Sequence, residues 1–454
     1  MVQKINSYLN TTTKAAPLAV FRVLFGFMMC YSIIRFASYG WIKTLYIDPS
    51  FHFKYFGFEW VQSLGVFNYA LFLVCGISAL FVAIGFKYRL AIIIFFLSFT
   101  YIELIDKTTY LNHYYFISCM AFVLIFLPAN AYFSLDAYRN KALSFSMIPR
   151  WTIDVIKALL VIVYFYAGLA KLNSDWLIEA MPLKIWLPSK YDIPLIGNIL
   201  QQEWLHYAFS WSGMVYDLTI PLLLLYKPTR KVAFFLVVVF HVLTRVLFPI
   251  GVFPFVMIVS TLIFFDATVH QKGINFISRI FKISKARFAD LKSIAPFKYT
   301  SKIPLVIISF FLVVQVFLPW RYLAYPGELF WTEEGYRFSW RVMLMEKAGY
   351  AQFKILDLKS GKKFLVNNSD FLTTFQEKQM STQPDFIIQY AHFLGEHFSN
   401  QGHENIGVFV ESYVALNGRL SEPYIDPAVN LMEVNEDYGS RDFLMPFNDS
   451  IKGL

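Results

Sequence analysis

Nine apolar runs govern what this chain can fold into. They cover residues 17–38, 67–86, 89–105, 113–129, 152–171, 206–226, 231–249, 252–266 and 303–319. A helix rises 1.5 Å per residue, so roughly 20 mostly apolar residues cross the hydrocarbon core of a bilayer. Several runs are shorter, and 252–266 is the weakest, so the expectation is a polytopic α-helical membrane protein of about eight to nine spans. Composition agrees. Of 454 residues 57% are hydrophobic and only 16% charged, against about 25% charged in soluble domains. The 49 phenylalanines and 28 tyrosines suit aromatic belts at a lipid interface.

The net charge of +9 reads better as a topology signal than as a nucleic-acid footprint, because no basic motif with nucleic-acid spacing appears. With Lys4 and Lys14 inside, the inner connections hold Lys87 and Arg89, then Arg139, Lys141 and Arg150, then Lys227, Arg230 and Lys231. The last inner segment, 267–302, has eight basic residues to one acid, Asp290. The outer connections 39–66, 106–112 and 172–205 mix acids and bases. This follows the positive-inside rule and puts the chain beyond Pro319 on the extracytoplasmic side. The run Pro17 to Ala37 lacks a small-residue cleavage site and reads as a retained anchor. Segment 274–294 interleaves apolar and basic residues as a helix lying on the inner leaflet would.

After Pro319 the pattern changes. Residues 350–366 alternate around Ser360-Gly361, and 406–420 is strand-like up to Asn417-Gly418; both read as hairpins. Pro384-Asp385 opens an amphipathic helix to about His397. The expected division is a transmembrane domain, 1–319, and an extracytoplasmic α+β domain, 320–454. Cys30, Cys75 and Cys119 lie in apolar runs and suggest neither a disulfide framework nor a metal site. The eight histidines show no metal-ligand spacing, so no metal is expected.

Ionisable groups inside membrane spans are expensive and usually serve a purpose. They are Glu103, Asp106, His113, Lys171, Asp217, His241 and Arg245, and the topology gathers most of them near the outer boundary as one expected site. Each has a bland alternative. Lys171, in YFYAGLAKLNSDW (164–176), can snorkel to the interface or act as a base in a dry site. His113 can sit among headgroups, and Asp106-Lys107 can be a solvated turn. Asp217, about eleven residues into its span, needs a partner, for which His241 and Arg245 are candidates, in a network that is structural or functional.

At these residues the chain resembles the vitamin K-dependent gamma-carboxylase family. YFYAGLAKLNSDW resembles the segment with the family's catalytic lysine, which falls on Lys171. DKTTYLNHYYF (106–116) is similar to the block with a functional asparagine and histidine, here Asn112 and His113. FHVLTRVLFPIGVFPFVM (240–257) resembles a later block that includes His241. WTEEGYRFSW (331–340) resembles the stretch lining the glutamate site, with Tyr336 on a family tyrosine and Trp340 beside it. IDPAVNL (425–431) matches a further segment. Gly335, Arg337 and Arg341 depart from the animal pattern, no extracytoplasmic cysteine is present for the animal enzymes' disulfide, and the shorter form resembles bacterial members with a horizontally transferred transmembrane domain.

The resemblance implies an enzyme of a bacterial inner membrane that oxidises vitamin K hydroquinone, or a related menaquinol, with O2 to the 2,3-epoxide. The strong base so formed takes a proton from the γ-carbon of a glutamate in a protein or peptide, and the carbanion captures CO2. It makes Lys171 the base that deprotonates the quinol, Asn112 and His113 donors to quinone oxygens, His241 a further quinone contact, and Tyr336 and Trp340 contacts of the glutamate substrate. Arginine cannot replace that base, because it does not lose its proton in proteins. Two other readings stand beside this one: a quinone epoxidase that carboxylates no protein, and a transporter or receptor with a polar intramembrane path through Asp217, His241 and Arg245.

Overall fold

The computed structural model describes residues 2–282, 296–403, 405–435 and 441–453. Every apolar run becomes helix: α1 Ala16–Ser38, α2 Asn68–Ile84, α3 Tyr88–Ile105, α4 Asn112–Phe126, α5 Trp151–Leu169, α6 Glu203–Leu225, α7 Arg230–Leu247 and α8 Phe253–Thr261, then α9 Ala267–Ile280 and α10 Ile303–Phe317. Among the described residues six helices (α1, α2, α3, α5, α6 and α10) are long and apolar enough to cross a bilayer, or up to seven if one bent pair is a single span. The expected count of eight to nine is higher because three runs fall short for separate reasons. Helix α4 has 15 residues, starting after a capped turn and ending just before Pro128, which biases the preceding residue to extended backbone. Helix α7 carries Arg230, Lys231 and Arg245. Helix α8 continues to Phe264 and then bends by 116° into α9. The predicted interfacial helix 274–294 is occupied to Ile280 by α9; residues 283–294 lie outside the described residues.

Close helix contacts follow small residues. A Cβ on Gly26 would lie 2.4 Å from the backbone nitrogen of Ala83, so glycine lets α1 and α2 touch backbone to backbone. Around that contact Phe25 meets Phe95 edge to face at 5.8 Å, within a core that includes Phe21, Met29, Val82 and Ile92.

The C-terminal region builds a four-stranded antiparallel sheet from β1 Lys347–Asp357, β2 Lys363–Leu365, β3 Ile406–Leu416 and β4 Glu422–Pro423, in the order β2-β1-β3-β4. Strands β1 and β3 pair along their whole length, from Lys347 opposite Leu416 to Asp357 opposite Ile406. Both expected turns form: Gly361, Asn417 and Gly418 have φ of +70°, +49° and +78°, a region open to glycine and tolerated by asparagine. Two helices, α11 Thr374–Met380 and α12 Pro384–Asn400, belong to the same domain. Phe386, Ile387, Tyr390 and Leu394 of α12 share a core with Phe353, Val408 and Val410 of the sheet. That core also takes in Phe53, Trp176, Met214 and Leu247, so the sheet domain is packed onto one end of the helical bundle.

Replacing Gly26 by Leu is expected to destabilise the bundle by about 1–3 kcal/mol through overpacking against backbone, lowering its thermal midpoint in detergent. The same change at Gly76, whose added Cβ meets only the Ile33 side chain at 3.3 Å, is expected to cost less.

Candidate functional site

Helix α5 ends at Leu169, with Ala170 as its cap, and Lys171 follows at once. Its Nζ donates to the carbonyl of Ala167 at 3.0 Å, one of the acceptors that a helix C-terminus leaves unpaired and whose dipole favours a cation. Asn173 then starts the next turn: its Oδ1 accepts from Trp176 N at 2.9 Å while its Nδ2 donates to Ala170 O at 2.9 Å. The lysine is not snorkelling. It is buried, its Nζ lies 2.8 Å from Asp217 Oδ2, and the two side chains are each 7% exposed. The Trp176 ring centroid is 5.3 Å from the same Nζ, within cation–π range. Asp217 reaches Lys171 because a Cβ on Gly168 would stand 2.8–2.9 Å from Leu218, so only glycine lets α5 and α6 come so near. The expected partners of Asp217 are thereby corrected. Arg245 is exposed, and His241 Nε2 lies 3.0 Å from the Tyr164 hydroxyl.

These groups face an apolar chamber lined by Lys171, Asp217, His241, Tyr164, Phe248 and Phe253 among others. Apolar walls with a few convergent polar groups are the usual design for a small aromatic ligand. His241 lines this chamber and its buried Nδ1 has no partner among the described residues, so the lining joins apolar walls to a few polar groups, the chemistry that the implied quinol needs. His113 stands behind this wall: it is buried, and its ring lies 5.7 Å from that of Phe253.

A second cavity, with about 1120 Å³ of empty space, lies between the bundle end and the sheet domain and is lined by polar side chains, including Asn112, Glu333, Tyr336, Arg337, Arg341 and Lys347. The sequence DKTTYLN makes its floor. Asp106 Oδ1 accepts from Thr108 N at 2.9 Å and caps a single 3-10 turn, after which α4 begins at Asn112. Met343 lines both this cavity and the apolar chamber. The single expected site is thus two compartments with a common wall, and the physical reason is that the chain at Arg341–Leu344 passes between them. Lys171 and His241 belong to the apolar side, Asn112 and Tyr336 to the polar side. The Asn112 amide donates to the Arg341 carbonyl at 2.8 Å and its Oδ1 accepts from Tyr110 at 3.1 Å. Trp340 lines neither compartment. Its backbone, at φ +59°, turns the ring into the bundle against Tyr115, 4.9 Å away, so the expected substrate contact is corrected to a packing role. Glu103 lines a separate cavity with Tyr55, Cys119 and Phe311.

Sequence reasoning missed the ion cluster beside the polar cavity. Asp385 accepts from Lys107 at 2.7 Å and from Arg337 at 2.8 Å, so Asp106-Lys107 is no solvated turn, and the helix-opening aspartate joins the two domains. Asp106 itself receives Gln376 Nε2 at 2.8 Å. The available signal was an aspartate next to Pro384, which reads as an ordinary helix start. Burial opposes ionisation of Asp385, but Arg337 and Lys107 hold its carboxyl well below the ordinary range.

A family model for the HTTM domain matches residues 10–268, and one for the lumenal domain of vitamin K-dependent gamma-carboxylase matches residues 300–450. No solved structure matches the chain.

Two outcomes are expected from this geometry. Asp217→Asn strips a buried lysine of its counter-ion and should destabilise the protein by about 3–5 kcal/mol, whereas Lys171→Met with Asp217→Leu should cost less than the sum of the single changes; thermal unfolding of the four proteins of the cycle measures it. Asp385→Asn should cost about 2–3 kcal/mol at pH 7, the scale of lost charged hydrogen bonds. Because the folded carboxyl titrates below its unfolded value near 3.9, the gap to wild type should hold above about pH 4 and shrink as the pH falls further.

Proposed function

The chain belongs to the vitamin K-dependent gamma-carboxylase family, and we propose that it is a membrane gamma-glutamyl carboxylase that couples oxygenation of a reduced vitamin K or menaquinol to carboxylation of peptidyl glutamate. The observation that carries the reading is the buried Lys171–Asp217 pair facing an apolar chamber that shares the Met343 wall with a polar cavity. One compartment suits a quinol and the other an acidic peptide.

The quinol, oxidised by O2, supplies the strong base that a γ-carbon proton demands. What the chain supplies is binding, one proton transfer and a dry wall. A quinol hydroxyl titrates near a phenol, about 10, and Lys171 can take its proton only as the neutral amine. In the proposal Asp217, 2.8 Å from the Lys171 Nζ, balances the charge of the ammonium that this proton transfer forms. In the same reading His241, which lines the chamber, holds a quinol oxygen, and His113, expected at a quinone oxygen but not among the chamber's lining, supports the wall through Phe253. Water kept out by Phe248, Phe253 and Trp176 would otherwise quench the base before it met carbon. Tyr336, on the polar side, faces the glutamate, and Asn112, expected at a quinone oxygen, stands on this side instead and holds the Arg341 carbonyl. The basic connections of the helical domain support an extracytoplasmic sheet domain and cavity in this reading.

The test uses purified full-length protein in nanodiscs with reduced vitamin K, O2, labelled bicarbonate and a glutamate-containing peptide. Wild type is expected to form both epoxide and labelled peptide, and Lys171→Ala to lose at least about 100-fold of each, the usual scale of a lost general base. Equal epoxide formation by Lys171→Ala would remove Lys171 from the base role. Epoxide without labelled peptide would remove the carboxylation half of the reading.

A further inference from the structure

Strand β1 is paired along the whole of one edge and only part of the other. Its even-numbered residues turn their backbone groups toward β3. Asn417 N donates to Glu346 O at 2.9 Å just before the strand, and Leu358 N donates to Asn405 O at 3.0 Å just after it. Backbone directions alternate along a strand, so the odd-numbered residues face the opposite edge. There Asp357 N donates to Lys362 O and Phe353 O accepts from Val366 N, both at 3.0 Å. Asn368 Nδ2 donates to Ala351 O at 2.9 Å. The cover then ends, because β2 spans only Lys363–Leu365. The edge-facing backbone groups of Lys347 and Gly349 have no hydrogen-bond partner among the described residues.

This open stretch is accessible. One face of Gly349 meets the chain after α11, where an added Cβ would lie 2.5 Å from Ser381 O, yet Gly349 is exposed, as are Ala348 and Tyr350. Exposed edges are commonly guarded by an outward charge or a bulge. Here Lys347 turns its ammonium inward, 2.8 Å from Glu333, and Gly349 has no side chain to offer. In the other direction the chain runs into the polar cavity, whose lining includes Met343, Met345 and Lys347. Basic side chains outnumber acidic ones in that lining. Lys378, one turn before Ser381, is exposed there with no acidic partner among the described residues. Free N–H and C=O groups recurring at every second residue are what an extended peptide satisfies when it adds to a sheet.

We propose that this edge binds the peptide substrate as an added β-strand, paired with Lys347 and Gly349, and leads an extended acidic segment into the polar cavity. The assignment rests on the reading of this cavity as the peptide side of a carboxylase. It adds how the substrate chain is held, which is through backbone more than through a particular sequence. Side chains alternate across a strand, so peptide residues opposite Lys347 and Gly349 share the face on which Lys347 meets Glu333 and Thr382.

The experiment measures binding, without quinol, of a short fluorescent peptide with a central glutamate flanked by valine and threonine, to full-length protein in nanodiscs. Single N-methyl groups are moved along the peptide, each removing one backbone donor and leaving every side chain in place. Strand addition is expected to give a two-residue rhythm, with a loss of roughly tenfold at alternate positions, the scale of a lost hydrogen bond, and little change between them. Ala348→Cys puts a thiol on the open face between the pairing residues, whereas Cys30, Cys75 and Cys119 lie in helices of the bundle. It should form a disulfide with a cysteine at one position of the bound peptide and not at its neighbours. No binding, equal losses at adjacent positions, or trapping without register would each overturn the proposal. So would an Ala348→Cys dimer that peptide does not displace, since the edge would then belong to a second copy. The two readings fail separately. An alternating pattern with no labelled peptide under turnover conditions removes carboxylation and keeps the edge, and labelled peptide without the pattern removes the edge.

Discussion

A lysine ammonium and an aspartate carboxylate cannot be left singly in an apolar interior, and the organisation of this protein follows from bringing Lys171 and Asp217 together there. Each ion alone would carry a desolvation cost of several kcal/mol, which only close, well-directed contact offsets. The contact needs a helix that stops at Leu169, so that Lys171 lies over an open carbonyl. It also needs a glycine at 168, so that α6 can approach. The turn after it must hold still as well. Asp175 there is gripped by Arg419 through two contacts of 2.7 and 2.8 Å, and Ser174 N donates to Lys452 O at 2.7 Å. The sheet domain therefore fixes the loop that carries the membrane lysine, and each domain depends on the other for its local geometry.

Segment 333–343 has the second structural burden, because its end at Val342 and Met343 separates an apolar chamber from a polar cavity. Glu333, Phe338, Trp340 and Met343 all have positive φ, from +54° to +62°, a conformation that costs non-glycine residues on the order of 1–2 kcal/mol each. Such backbone persists only where its surroundings overdetermine it. Here Phe338 N donates to the Tyr110 hydroxyl at 2.8 Å, Arg321 donates to Arg337 O at 2.7 Å, and Asn112 holds Arg341 O. Gly335, at φ +81°, lies so close to Tyr322 that a Cβ would be 2.7 Å from its Cα. These left-handed turns put the Trp340 ring against Tyr115 in the bundle and leave Met343 on the partition. Methionine is an adaptable wall residue, suited to a boundary across which two bound molecules must react.

Much of the fold was legible in the chain because membrane helices and hairpins are local. Run length and hydropathy depend only on consecutive residues, and so do the Asn417-Gly418 turn and the Pro384 helix start. All nine runs became helices, and what composition overstated was how many would be long, straight and uncharged enough to count as spans. The candidate site was legible one residue at a time. Lys171 stands out because a charge in an apolar run is rare, and family resemblance attached roles to Asn112, His113 and Tyr336.

Which of these residues meet is a property of tertiary contact. Asp217 is 46 positions from Lys171, and its pairing depends on the α5–α6 approach at Gly168. Asp385 is 278 positions from Lys107, and its role as an ion shared between domains cannot be read from its place at a helix start. The sequence by itself determined the membrane class, the helical and sheet portions and the residues able to carry charge chemistry, because periodicity and burial cost act along the chain. The fold decided that they form two compartments divided at Met343, with Lys171 paired to Asp217 on the apolar side, because contact and desolvation act across it.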